Sequence, residues 1–391
     1  MEKFKDRHEK INSKLIALFL YQYSLLIPIM KYLNPTILVS ISGIIIVVIL
    51  FLYNNRSPIN LKVIFALCII TLCLAMNILL AHARLYGIFT FLAILFPVSL
   101  MFVFPFDNRM FIHTCCTLAT LNFFVLCFIP FLGEYEYMRF GYGMLLSAVF
   151  FYIRLVYGDK LHINKKRQNK VGDALLLLAS LSEMGIYGAR GALLSFGLLF
   201  MIDWFIINKH RIFRNGLFLI TVIFIYTQIG NILTIIELML QRLGIFSYAI
   251  KKFRMQFESG IFAASSGRTK LYKAAIDKII DHPWLGNGLD VAEKDGLYVH
   301  NLFLQVGQDF GIPAMLFLII FLILILSYIN SKKVSLEVKI VYEVLFAISI
   351  GRLMVSSVLW RRPEFWMLVF LYLTKKRTGR MVIEEHNRIL E

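Results

Sequence analysis

The sequence predicts an all-α, polytopic integral membrane protein of about 12 transmembrane helices, with one long outer loop containing amphipathic helices. Three observations carry this. Hydrophobic residues make up 59% of the chain and its mean hydropathy is +0.73, above the roughly 45–50% apolar content of soluble domains. Apolar runs of the length a bilayer core requires recur along the chain. Lys and Arg gather in alternate connections, the positive-inside pattern, which puts both termini in the cytoplasm.

The runs lie near 15–31, 36–53, 62–81, 86–105, 110–132, 140–157, 171–187, 191–208, 215–232, 312–329, 338–358 and 364–374. The first lacks a small-residue cleavage site and a second follows at once, so it reads as a span and not a cleaved signal. Three regions result: 1–232 with helices 1–9, a loop over 233–311, and 312–391 with helices 10–12 and a cytoplasmic tail. The net charge of +17 is explained by this topology, with membrane lipids and not nucleic acid as its partner. Cys68, Cys73, Cys115, Cys116 and Cys127 all fall in apolar runs and read as buried free thiols. No internal repeat, low-complexity segment or nucleotide phosphate loop is present.

Long connections are usually functional, and the one over 233–311 has internal pattern. ILTIIELMLQRLGIF reads as a helix at the interface or an extension of the ninth span. In SSGRTKLYKAAIDKIIDHP, Leu271, Ala275 and Ile279 recur every four residues, the mark of an amphipathic helix. Ser265 or Ser266 can cap it, and Pro283 follows its end. Arg268 stands in its first turn, where a cation is disfavoured unless an anion joins it. Free N–H groups and a guanidinium there make a phosphate site; a solvated arginine is the alternative.

The stretch YVHNLFLQVGQDFGIP follows. Asn301 is a good N-cap and Gly311 a good terminator, predicting a short helix over 302–310. The positive end of that helix keeps His300 neutral near pH 7. A neutral histidine can act as a general base, or it can simply position the loop.

Other outer-side cations are Arg139, Arg190, Arg352, Arg361 and Arg362. Charges at the lip of a bundle usually face a cavity or a partner. Glu183, two turns before Arg190, is the expected counter-ion of that arginine, with a purely structural salt bridge as the alternative. Arg361 and Arg362 can also snorkel to headgroups. Asp281 and Asp290 read as solvated loop acids, and no metal cluster is apparent. Several arginines with one candidate base fit an anionic, phosphate-bearing substrate.

Four local patterns then fall in order: GARGALLSF, SGRTKLYKAAI, HPWLGNGL and VHNLFLQVGQDFGIPAML. With the span count and the long late loop, they resemble the O-antigen polymerase and O-antigen ligase family of the bacterial envelope. Ala189 replaces the family's usual Ser, and Asp309 its Glu. The resemblance implies a glycosyltransferase of the bacterial inner membrane, working on the periplasmic side without cofactor or metal. Its substrate would be an undecaprenyl-diphosphate-linked oligosaccharide. Arg190 and Arg268, and more weakly Arg139, would hold the lipid diphosphate, and His300 would activate the acceptor hydroxyl. Asn301, Glu183, Arg352, Arg361 and Arg362 would stand behind them or on the acceptor side. The polymerase versions of the motifs are the nearer match, and a polymerase implies a chain-length-determining membrane protein as partner. A ligase acting on lipid A–core is the alternative within the family. A lipid-linked oligosaccharide transporter is the alternative outside it, although transporters concentrate polar residues at the midplane, where Asn77, Asn122 and Glu343 are few and scattered.

Overall fold

The computed structural model describes residues 2–30, 32, 35–55, 57–133, 135–163, 170–207, 231, 233–244, 247, 250–251, 254–255, 268–291 and 298–375. Every regular element among them is helical. In chain order these are α1 (Glu2–Leu26), α2 (Pro35–Tyr53), α3 (Leu61–Ala81), α4 (Leu85–Met101), α5 (Asn108–Leu126), α6 (Tyr137–Tyr157), α7 (Lys170–Tyr187) and α8 (Arg190–Ile202). They continue with α9 (Arg268–Asp281), α10 (Leu302–Asn330), α11 (Leu336–Leu353) and α12 (Pro363–Thr374). A π-helical turn, Asp203–Ile207, extends α8, and residues 233–242 are also helical.

Five described helices are long and apolar enough to cross a membrane: α3, α5 with its 3-10 extension, α6, α8 with its π turn, and α10. The α4 and α12 helices and residues 38–53 of α2 are apolar but shorter. The expected ninth span, 215–232, apart from residue 231, and the Ser265 or Ser266 cap lie outside the described residues. Starts are set locally. Asn60, Asp107 and Asn301 cap α3, α5 and α10 through their side-chain oxygens, satisfying backbone N–H groups that no intrahelical carbonyl reaches.

The α6 helix is the axis of the bundle, buried on every face from Phe140 to Ile153. It packs on α5, α7 and α8, while α11 packs on α8 and α12 on α11 and α4. Small residues let this happen, as they do between membrane helices generally. A Cβ on Gly141 would stand 2.6 Å from the Ala189 nitrogen, and one on Gly143 2.8 Å from Ile27 Cδ1. Polar groups inside are mostly paired: Asn122 donates to the Gly143 carbonyl (2.9 Å) and to Ser147 (2.8 Å). Glu343 on α11 is fully buried, and neither of its oxygens has a hydrogen-bond partner.

After α9 the side chains of His282, Trp284 and Leu285 are exposed, but the backbone is docked and residues 288–290 are buried. Gly286 and Gly288 both have positive φ, 71° and 89°, a region open to glycine at little cost. A Cβ on Gly288 would meet the Ala81 carbonyl at 2.2 Å, and one on Gly286 the Asp309 carbonyl carbon at 2.4 Å. Asn77, near the end of α3, ties the parts together. Its oxygen accepts from Leu289 N (2.9 Å) and its amide donates to the Asp309 carbonyl (3.3 Å). Asn287 N and Gly288 N donate to the carbonyls of Gln308 and Asp309. Residues 282–290 are thereby clamped between the α3–α4 turn and the first half of α10.

That first half is a separate short helix. Gly311 has φ 85° and ψ 174°, and the Pro283 carbonyl accepts from Ile312 N (2.8 Å) at the break. The expected 302–310 helix with its cap and terminator is therefore present.

Candidate functional site

One end of the bundle brings together the starts of α8, α9, α10 and α12 with the end of α11. His300 immediately precedes the Asn301 cap, whose side chain accepts from Phe303 N (3.0 Å) and Leu304 N (3.1 Å). Its backbone is left-handed, φ 51°. Its ring centroid lies 4.0 Å from that of Tyr298, and its Nδ1 is buried with no hydrogen-bond partner. Burial first, and the Arg268 charge second, lower its pKa to about 4. The imidazole is thus neutral at pH 7; the sequence reading of neutrality invoked the helix end, whereas burial and a guanidinium account for it here.

Arg268 opens α9 and donates from Nη2 to the Val355 carbonyl (3.0 Å). Val355 lies just past α11, between the next two cations, Arg352 in the last turn of α11 and Arg362 at the start of α12. Arg352 is buried, with its guanidinium 4.3 Å from the centroid of the Tyr142 ring and Nη1 3.7 Å from Glu364 Oε1. Such a contact is a cation–π interaction. Arg352 Nε and Glu364 Oε2 are buried without hydrogen-bond partners. Arg362 donates from Nε to Ser357, and burial with the Arg352 charge lowers its pKa to about 10, leaving it cationic at pH 7. Tyr142 and Ser356 share a hydrogen bond between their hydroxyls. Tyr142 of α6 thus carries Arg352 on its ring and Ser356 on its hydroxyl.

Arg190 begins α8 beside this wall. A Cβ on its neighbour Gly191 would stand 2.1 Å from the Tyr142 hydroxyl and 2.7 Å from Val355 Cγ2. The glycine therefore permits a close approach that no other residue allows without a shift. Glu183 forms no ion pair with Arg190. Its Oε2 is buried without a hydrogen-bond partner. The physical reason is the break at Gly188 and Ala189: α7 ends at Tyr187 and α8 starts afresh at Arg190, so helical spacing does not carry across.

Arg139 is placed differently from Arg190. It ion-pairs with Glu136 in the same turn and lines a cavity of about 560 Å³ with Tyr32, Tyr135 and Tyr137. Arg361, 43% exposed, points to Asp290, with Nη2 3.8 Å from Oδ1. Asp290 corrects the expectation of a solvated acid. It is 2% exposed and bonded to Arg84 at 3.0 Å, because the double-glycine turn carries it onto the α3–α4 connection. Asp281 is exposed, as expected.

Sequence reasoning missed Tyr142, Ser356, Glu364 and Asn77. The acid in VLWRRPEF was visible beside its arginines, and the two glycines of LGNGLD marked a close backbone approach. Nothing local marked Tyr142 or Asn77.

The fold and site define a membrane-embedded helical protein with an arginine-rich polar site at one end. Residues 169–319 match the family model described as O-antigen ligase. That match bears out the motif resemblance to the O-antigen polymerase and ligase family. It covers Arg190, Arg268 and His300; Arg139, Arg352, Arg361 and Arg362 lie outside it. No curated protein matches the chain.

Proposed function

We propose that the protein is an O-antigen polymerase of the bacterial inner membrane. It transfers a glycan from an undecaprenyl-diphosphate-linked donor to the terminal sugar hydroxyl of a second lipid-linked repeat unit, at the periplasmic face. The observation that carries the reading is that Arg268, whose charge helps keep the half-buried His300 neutral, donates to the Val355 carbonyl just past the buried Arg352.

The chemistry follows from the charges. The acceptor hydroxyl gives its proton to an imidazole nitrogen of His300 as its oxygen attacks the anomeric carbon. The bond from that carbon to the diphosphate oxygen breaks, and the leaving diphosphate takes the electron pair. Arg268 and Arg190 meet its growing charge, with Arg352 and Arg362 behind them. Single displacement inverts the anomeric centre, and the mechanism needs no metal. A bound diphosphate also offsets the Arg268 charge that weakens His300 as a base, so donor binding strengthens the base.

The description of the matched family favours a second reading, a ligase that uses lipid A–core as acceptor. One experiment separates the readings. The protein in nanodiscs is given undecaprenyl-diphosphate-linked repeat units with and without lipid A–core. A ladder from lipid-linked units alone, lost in His300→Ala and Arg268→Ala, is the expected result. Product only with lipid A–core makes it a ligase. Relocation of unaltered substrate, with no covalent product, makes it a transporter.

A further inference from the structure

The cavity that holds Arg139 has no role in the reaction above. It lies at the same end of the bundle, between the ends of α1 and α5 and the start of α6. Its volume, about 560 Å³, falls within the roughly 300–1,000 Å³ of small-ligand sites. Three of its lining residues are tyrosines, Tyr32, Tyr135 and Tyr137, and Glu136 stands in an ion pair with Arg139. Tyr135 donates from its hydroxyl to the Tyr187 carbonyl (3.1 Å), so one wall of the cavity is braced on the turn that carries Arg190.

We infer that this cavity is a glycan-binding subsite that holds sugar residues away from the reacting atoms. The inference rests on the glycosyltransferase reading. A diphosphate is a poor occupant, because Glu136 cancels the Arg139 charge and repels an anion. A hydrocarbon tail would meet the apolar part of the lining, Ile27, Met30, Ile129 and Leu132, but would offer the phenols and the ion pair no hydrogen bond. A sugar suits the lining. Its hydroxyls both donate and accept, matching a guanidinium, a carboxylate and phenols together. Its C–H faces lie well against aromatic rings, which combine an apolar body with a polar tip. Donor and acceptor glycans share this chemistry.

The test uses the full chain in nanodiscs and two probes: the free repeat-unit oligosaccharide, without lipid or phosphate, and undecaprenyl diphosphate without sugar. Wild type binds both. Arg139→Gln and Glu136→Gln each weaken oligosaccharide binding about tenfold and leave undecaprenyl diphosphate unchanged, whereas Arg268→Ala does the reverse. A KM increase for donor or for acceptor in the two cavity variants then identifies which glycan is held. Failure of wild type to bind the oligosaccharide overturns the inference. So does unchanged oligosaccharide binding in both variants, or a loss of undecaprenyl diphosphate in Arg139→Gln. These binding measurements need no turnover, so they stand apart from any failure of the transfer reaction. Both positions are partly exposed, and Arg139→Lys, which keeps the charge without the fork, separates a binding loss from a folding loss.

Discussion

Replacing Asn77 by Ala removes a side chain that bonds both the 282–290 segment and the short helix behind His300. Two hydrogen bonds go, to Leu289 N (2.9 Å) and to the Asp309 carbonyl (3.3 Å). The Leu289 N–H is left buried and unpaired, at a cost of about 1–3 kcal/mol. The Asp309 carbonyl keeps Gly288 N at 3.2 Å, so its loss stays near 1 kcal/mol. The sum, about 2–4 kcal/mol, corresponds to a roughly 30- to 900-fold larger opening constant for the docked segment. Hydrogen exchange followed by mass spectrometry reads this directly. Peptides over 282–291 and 302–310 should exchange faster by that factor, while α11 should not change. Transfer should fall with them, since His300 loses its support. Unchanged exchange over 282–291 in a folded sample would refute the role given to Asn77.

Other outcomes follow from the same geometry. Gly288→Ala adds a Cβ 2.2 Å from the Ala81 carbonyl at φ 89°, costing about 1–3 kcal/mol in backbone strain before any overlap. Limited proteolysis should cut that segment faster, whereas Gly185→Ala, with open space around it, should leave the pattern unchanged. For His300, a pKa lowered to about 4 means the neutral base persists down to that pH, so kcat/KM should hold between pH 7 and 5 and fall near 4. Arg268→Gln removes the smaller of the two causes and should move that limb upward, short of the ordinary value of about 6.5, in a pH–rate profile. The same lowered pKa predicts stability rising with pH across about 4 to 6.5, where the unfolded chain binds the extra proton; thermal melts of wild type and His300→Gln check the sign.

Local signals in the sequence were sufficient where the physics is local. The Asn301 cap, the Gly311 break and the amphipathic period of α9 are each set within a few residues, and each is present. The docking of residues 282–290 is not local. Leu289 is 212 positions from Asn77 and Asp290 is 206 from Arg84, so a charge that looked solvated is buried. The arginines divide for the same reason. Arg352 and Arg362 join Arg268 through a turn whose path only the packing of α11 on α8 decides. Glu183 and Arg190 looked like partners by spacing alone, and the restart of the helix between them separates the two. Arg139 reads in the sequence as one more phosphate ligand, and in the fold it is ion-paired with Glu136 of its own turn.

The break at Gly311 has a consequence for life in bilayers of unequal thickness. A long span adjusts to a thicker or thinner hydrocarbon layer by tilting. Were α10 continuous, every degree of tilt would swing His300 as the tip of a rigid rod. With a non-helical glycine at 311 and the short helix anchored to α3 instead, residues 312–330 can lean while the imidazole keeps its address. The proposed site would then be insulated from the mechanics of the membrane that carries it.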